Sequence, residues 1–95
     1  MNTTDLPDPR GAVHVGEWRD AADGRVRRFE GHSRHVERPA SDTDITITII
    51  GSQYDDGRVE RLIRVARLDD PDLLSIGETR ELARTLFNAC DEALY

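Results

Sequence analysis

Lysine is missing from this chain: every one of its thirteen basic side chains is arginine, set against nineteen aspartates and glutamates for a formal charge of −6. A negative sum of that size repels phosphate backbones on average and disfavours non-specific nucleic-acid binding. Cysteine occurs once, as Cys90, which excludes an internal disulfide framework and a cysteine-built zinc site within one chain. A lone thiol fits a reducing compartment. Aromatic residues are few: Trp18, Phe29, Tyr54, Phe87 and Tyr95. No apolar run approaches the roughly 18 residues that a membrane span needs, and the first eleven residues are too polar and proline-rich to read as a secretion signal. The expectation is a cytoplasmic protein without membrane contact.

The 95 residues suit one domain with one lean core. Residues 1–11 lack apolar periodicity and carry two prolines, so they read as a disordered tail ahead of a domain spanning 12–95. Ala12 to Arg19 alternates in the manner of a strand, with Val13 and Val15 on one face and His14 and Trp18 on the other. Trp18 is expected as a core anchor of this hairpin, or as an exposed contact. Asp23-Gly24 supplies a turn, and Arg25 to Gly31 returns as the second strand. His32 to Thr43, with its charges, histidines and proline, reads as a connection that could include a short edge strand at Arg34–Glu37.

Ile45-Thr46-Ile47-Thr48-Ile49 is the clearest strand, β-branched throughout, with its isoleucines facing the core. Asp55-Asp56-Gly57 is a second hairpin turn. Arg58 to Leu68 fits both a helical stripe and a strand face, and strand is preferred because Asp23-Gly24-Arg25-Val26-Arg27-Arg28 recurs 33 residues on as Asp56-Gly57-Arg58-Val59-Glu60-Arg61. Asp69 to Leu74 breaks the chain. Ser75-Ile76-Gly77-Glu78 then matches a capping box, opening a helix whose stripe is Leu82, Ala83, Leu86, Phe87, Cys90, Ala93 and Leu94. The expected fold is α+β: an antiparallel sheet of two hairpins (β-β-β-β-α) with the C-terminal helix packed on one face.

The chemistry-bearing residues form few constellations. His32 and His35 lie three apart with His14 elsewhere, but a firm third ligand is lacking, so solvated loop histidines are expected and no metal. Cys90 falls on the apolar stripe near the helix C-terminus, where the dipole opposes a thiolate; a buried small hydrophobe is expected. No phosphate loop or nucleophile elbow is present, and no catalytic residue, cofactor or enzymatic activity is expected. Residues 1–40 hold seven acids and seven arginines, so the net charge sits in the second part, and one local basic patch remains. It comprises Arg25, Arg27, Arg28, Phe29, Arg34 and Arg38. Arg25 and Arg27 would share a strand face with Phe29, an arrangement able to grip phosphate and stack on a base. The competing account is that these arginines cover the sheet and pair with acids of the same chain.

The run Ile47 to Arg61, with Thr79-Arg80-Glu81-Leu82-Ala83-Arg84 in the helix, resembles a group of small actinobacterial, mycobacterial-type proteins without an assigned activity. The arginine-only usage, typical of GC-rich coding sequence, agrees with such a source. A second similarity is to small mycobacterial stress proteins of ribosome-hibernation-like fold. It rests on the strand, acidic-Gly turn, strand order and on Ile76-Gly77-Glu78 leading into Leu82-Ala83-Arg84. Two readings follow: a non-catalytic protein-interaction module, its partner another protein or a second copy in a homodimer, and an RNA- or ribosome-associated factor using the Arg25–Arg38 patch.

Overall fold

The computed structural model describes residues 6–38, 44–66 and 74–94. An antiparallel sheet is followed by one C-terminal helix that contacts it. The strands are β1 (His14–Val15), β2 (Arg19–Ala21), β3 (Gly24–Val36), β4 (Ile45–Tyr54) and β5 (Val59–Ala66), and the helix is α1 (Ile76–Leu94). The strand order is β1-β3-β4-β5, with β2 also paired to β3.

The expected first strand is thus two strands. Val15 pairs with Phe29 and Arg19 with Val26, which leaves Gly16, Glu17 and Trp18 opposite only Arg27 and Arg28. Three residues against two make a bulge, and a bulge turns the following side chains to the other face. Trp18 is thereby aimed at Arg27, whose guanidinium lies 4.7 Å from the ring centroid. A second correction concerns His32–Val36, expected as a connection: β3 continues through it. Its buried residues change parity, from Arg27 and Phe29 to Val36. An extra residue in the ladder accounts for such a slip, and period-2 reading of a sequence misses it.

Both hairpin turns form where the Asp-Gly pairs stand. Gly24 and Gly57 have φ of +133° and +95°, values that L side chains rarely adopt. In the second turn Gly57 N donates to Tyr54 O at 2.9 Å and Tyr54 N to Arg58 O at 2.8 Å, the pattern of a turn closed by a glycine bulge. The returning segment is strand β5, as preferred from the internal echo; Arg67 and Leu68 lie outside the described residues.

The described residues fall into two compact units, one within Met1–His32 and Ile49–Leu62, the other within Ser33–Thr48 and Ile63–Tyr95. In the first, Phe29 is buried over Gly51, where a Cβ would lie 2.6 Å from the ring. Residues 6–11, assigned above to a tail, are tied to this unit. Pro9 is buried, Arg27 Nη2 donates to the carbonyls of Leu6 and Pro7 at 3.2 Å, and Arg61 donates to Arg10 O at 3.0 Å.

In the second unit the core holds Val36, Ile45, Ile47 and Ala89, each fully buried. The capping box forms as expected: Glu78 N donates to Ser75 Oγ at 3.0 Å and Ser75 N to Glu78 Oε1 at 2.8 Å. The expected stripe, however, is only partly the packed face. The buried residues of α1 are Thr85 and Ala89, flanked by half-buried Glu78, Leu82, Leu86 and Ala93. Two ion pairs from β3 and its extension set this rotation: Arg34 with Glu92, and Arg38 with Glu78 at 3.4 Å. Both glutamates lie on the side of the packed face away from Phe87, so pairing them turns Phe87 outward.

Candidate functional site

The structure distributes the expected basic patch over both faces of β3, with Arg38 just beyond its end. Arg27 is 9% exposed. Its Nε donates to Gln53 Oε1 at 2.6 Å, and its Nη2 lies 3.5 Å from Asp8 in addition to the two carbonyls above. Phe29, 3% exposed, is core. Arg25 is held by the neighbouring turn: its N–H donates to Asp55 Oδ2 at 2.9 Å, Asp55 N donates back to its carbonyl at 3.0 Å, and its Nε lies 3.7 Å from Asp20. The Asp55 carboxylate reaches so close to Gly24 that a Cβ there would lie 2.6 Å from Oδ1. Arg34 and Arg38 belong to the second unit, where they pair with the helix.

Arg28 is the member of the patch that stays exposed. It lines an open hollow of about 380 Å³ with Arg19, Asp20, Ala21, Val26, Ser52 and Tyr54. Arg19, Val26 and Arg28 share one sheet face because Arg19 pairs with Val26 and Arg28 stands two residues further along β3. The Arg28 carbonyl accepts from Gly16 N at 2.7 Å, and the Arg19 and Arg28 side chains are exposed. Tyr54 is oriented by two contacts: Arg58 lies over its ring at 4.2 Å, and its hydroxyl donates to Glu60 at 3.3 Å. Neither Arg19 nor Tyr54 was among the residues singled out from sequence. The bulge after β1 fixes the face of Arg19, and nothing in local composition announces it.

The second surface is the outer side of α1. Ile76, Phe87 and Leu94 are 77%, 71% and 76% exposed, and Ala83 and Cys90 between them are exposed as well. The buried thiol expected at Cys90 is therefore corrected: the helix rotation set by Glu78 and Glu92 leaves it open to solvent. Large apolar side chains aligned on one exposed stripe are the usual composition of a contact surface rather than of solvated helix.

Among the described residues, two groups have their ionisation shifted by their surroundings. The Glu78 carboxyl is held below the ordinary glutamate range, first by the Ser75 backbone N–H and further by the Ser75 hydroxyl and Arg38. Burial, with Arg10 nearby, lowers Arg61, whose guanidinium lies 5.5 Å from the Phe29 ring. His32 and His35 project from β3 and are exposed. Among the described residues no three of His, Cys, Asp or Glu stand together as metal ligands, and no described helix is long and apolar enough to cross a membrane.

No family model matches the chain, and neither a curated protein nor a solved structure matches it.

Proposed function

We propose that the protein is a small non-catalytic interaction module that contacts another protein through the outer stripe of α1. The observation that carries this reading is the exposure of Ile76, Phe87 and Leu94 along one line of the helix. Burying such side chains stabilises a complex by roughly 1.5–3 kcal/mol each before the costs of association. The acids that hold the helix, Glu78 and Glu92, face the sheet side, so the stripe is free of negative charge apart from its rim. Capture from lysate of the source organism tests the reading, comparing the wild-type chain with Phe87→Glu at low and high salt, with and without nuclease. Proteins held by the wild type through both treatments and lost with Phe87→Glu are expected. Equal retention by both chains overturns the reading.

A second reading, RNA or ribosome association, is favoured by the Arg19–Arg28–Tyr54 hollow, whose two arginines are exposed. It moves the expected contact from Arg25, Arg27, Arg34 and Arg38, which serve the fold, to Arg28 and Arg19. Phosphate contacts of this kind weaken steeply with salt. Retention of RNA that is lost with Arg19→Glu/Arg28→Glu, and with nuclease, supports this second reading.

A further inference from the structure

The outer stripe of α1 runs the length of the helix and is long enough to lie along a second helix. Ile76, Arg80, Ala83, Phe87, Cys90 and Leu94 follow one another at intervals of four, three, four, three and four, the a/d rhythm of a coiled coil. The described residues contain one helix, and so offer no second helix from within the chain.

Charge at the rim chooses between orientations. With Phe87 and Leu94 at a positions, the e positions are Gly77, Arg84 and Asp91, and the g positions are Thr79, Leu86 and Ala93. Two copies side by side in parallel would bring e against g, which sets Arg84 and Asp91 beside uncharged residues. Two antiparallel copies bring e against e. When Phe87 of one copy lies over Cys90 of the other, Arg84 of each, paired at 3.0 Å with Glu81 of its own helix, also falls beside Asp91 of its mate. The same register places Leu94 over Ala83, so each layer joins a large side chain to a small one. Arg80 then faces none of the described residues of the mate's helix, which spans Ile76–Leu94. Shifting by one heptad to oppose Ile76 and Leu94 would bring the two Arg84 side chains together and bury Arg80, which is unfavourable.

We infer that the occupant of this surface is a second copy of the chain, joined as an antiparallel helix pair through Ala83, Phe87, Cys90 and Leu94 with Arg84–Asp91 ion pairs at the rim. This rests on the interaction reading above and names its partner. The helix pair gives a two-fold, self-complementary contact, the commonest kind in homodimers. Four layers make a small interface, so the pair forms and dissociates with concentration.

Sedimentation of the full chain from about 1 μM to about 1 mM covers the range in which a small interface passes from dissociated to paired. The wild type is expected to shift from monomer to dimer, and Phe87→Glu, which alters an exposed residue and leaves the circular dichroism of the fold unchanged, to remain a monomer. Arg84→Glu and Asp91→Arg should each weaken the dimer several-fold, and the two together should restore it. Alkylation of Cys90 should slow as wild-type concentration rises, and stay constant in Phe87→Glu. A wild type that is monomeric throughout, or a dimer indifferent to Phe87→Glu, overturns the inference; failure of the double exchange to restore pairing overturns its antiparallel register. If the wild type is monomeric while lysate proteins still depend on Phe87, self-pairing falls and the interaction reading stands. If retention is also indifferent to Phe87, both fall.

Discussion

Arg27 gives its Nε proton to Gln53 at 2.6 Å, and through that bond the first unit is organised around a buried charge. Gln53 Nε2 in turn donates to Pro7 O at 2.9 Å, so β3, β4 and the segment before β1 meet at one guanidinium. A buried arginine is tolerated only when its donors are occupied. Here the Gln53 amide oxygen takes the Nε–H, two carbonyls and Asp8 surround Nη2, and the Trp18 ring lies against the guanidinium at 4.7 Å.

Gln53→Leu is expected to destabilise the chain by about 1.5–3 kcal/mol, the range for losing a hydrogen bond to a charged group. Arg27→Met should do likewise, and the double variant should cost less than the sum, with a coupling of roughly 1–3 kcal/mol. Urea denaturation of the four proteins measures it. Simple additivity would show that the two side chains act independently.

Two glycines should fail to accept alanine for different reasons. At Gly51 a methyl would meet the Phe29 ring and the Glu60 carbonyl, an overpacking expected to cost about 1–3 kcal/mol. At Gly57 nothing lies within 4 Å but φ is +95°, so alanine should cost about 1–2 kcal/mol and asparagine less. Thermal melts of Gly51→Ala, Gly57→Ala and Gly57→Asn separate the two mechanisms. Equal tolerance of Ala and Asn at position 57 would deny the conformational cause.

Glu78 makes stability depend on acid. Its folded-state pKa is depressed, so its contribution is complete above the ordinary glutamate value, about 4.3. It is lost as the pH falls from there through the lower folded value. Glu78→Gln should flatten that part of the stability profile, and Ser75→Ala should weaken the chain at neutral pH by about 0.5–2 kcal/mol. An unchanged profile in Glu78→Gln would assign the acid sensitivity elsewhere.

The Cys90 thiol should react with iodoacetamide in dilute native protein as readily as in urea, because it is exposed. Labelling that requires denaturant would return it to the core.

Local pattern sufficed for much of this molecule. The Ile45–Ile49 alternation identified a strand whose isoleucines are buried, the Asp-Gly pairs marked both turns, and Ser75 with Glu78 marked the start of the helix. Each is a short-range signal, written in neighbouring residues by propensity, turn geometry or a cap. The site residues were less legible. Five arginines near one another in sequence read as a patch, yet alternation along β3 separates them; Asp20 across the turn pairs with Arg25, and acids farther off in sequence pair with Arg27, Arg34 and Arg38.

The sequence by itself determined the inventory: strands, turns, a capped helix and an apolar stripe along it. Tertiary structure decided which side of each element meets the core. A bulge of one residue after β1 aimed Trp18 at Arg27. Two arginine–glutamate pairs turned α1 so that Thr85 and Ala89 were buried while Phe87, Cys90 and Leu94 were left outside. The reason is physical: hydrophobicity around a helix specifies a broad arc, and long-range ion pairs with close packing select one line within it.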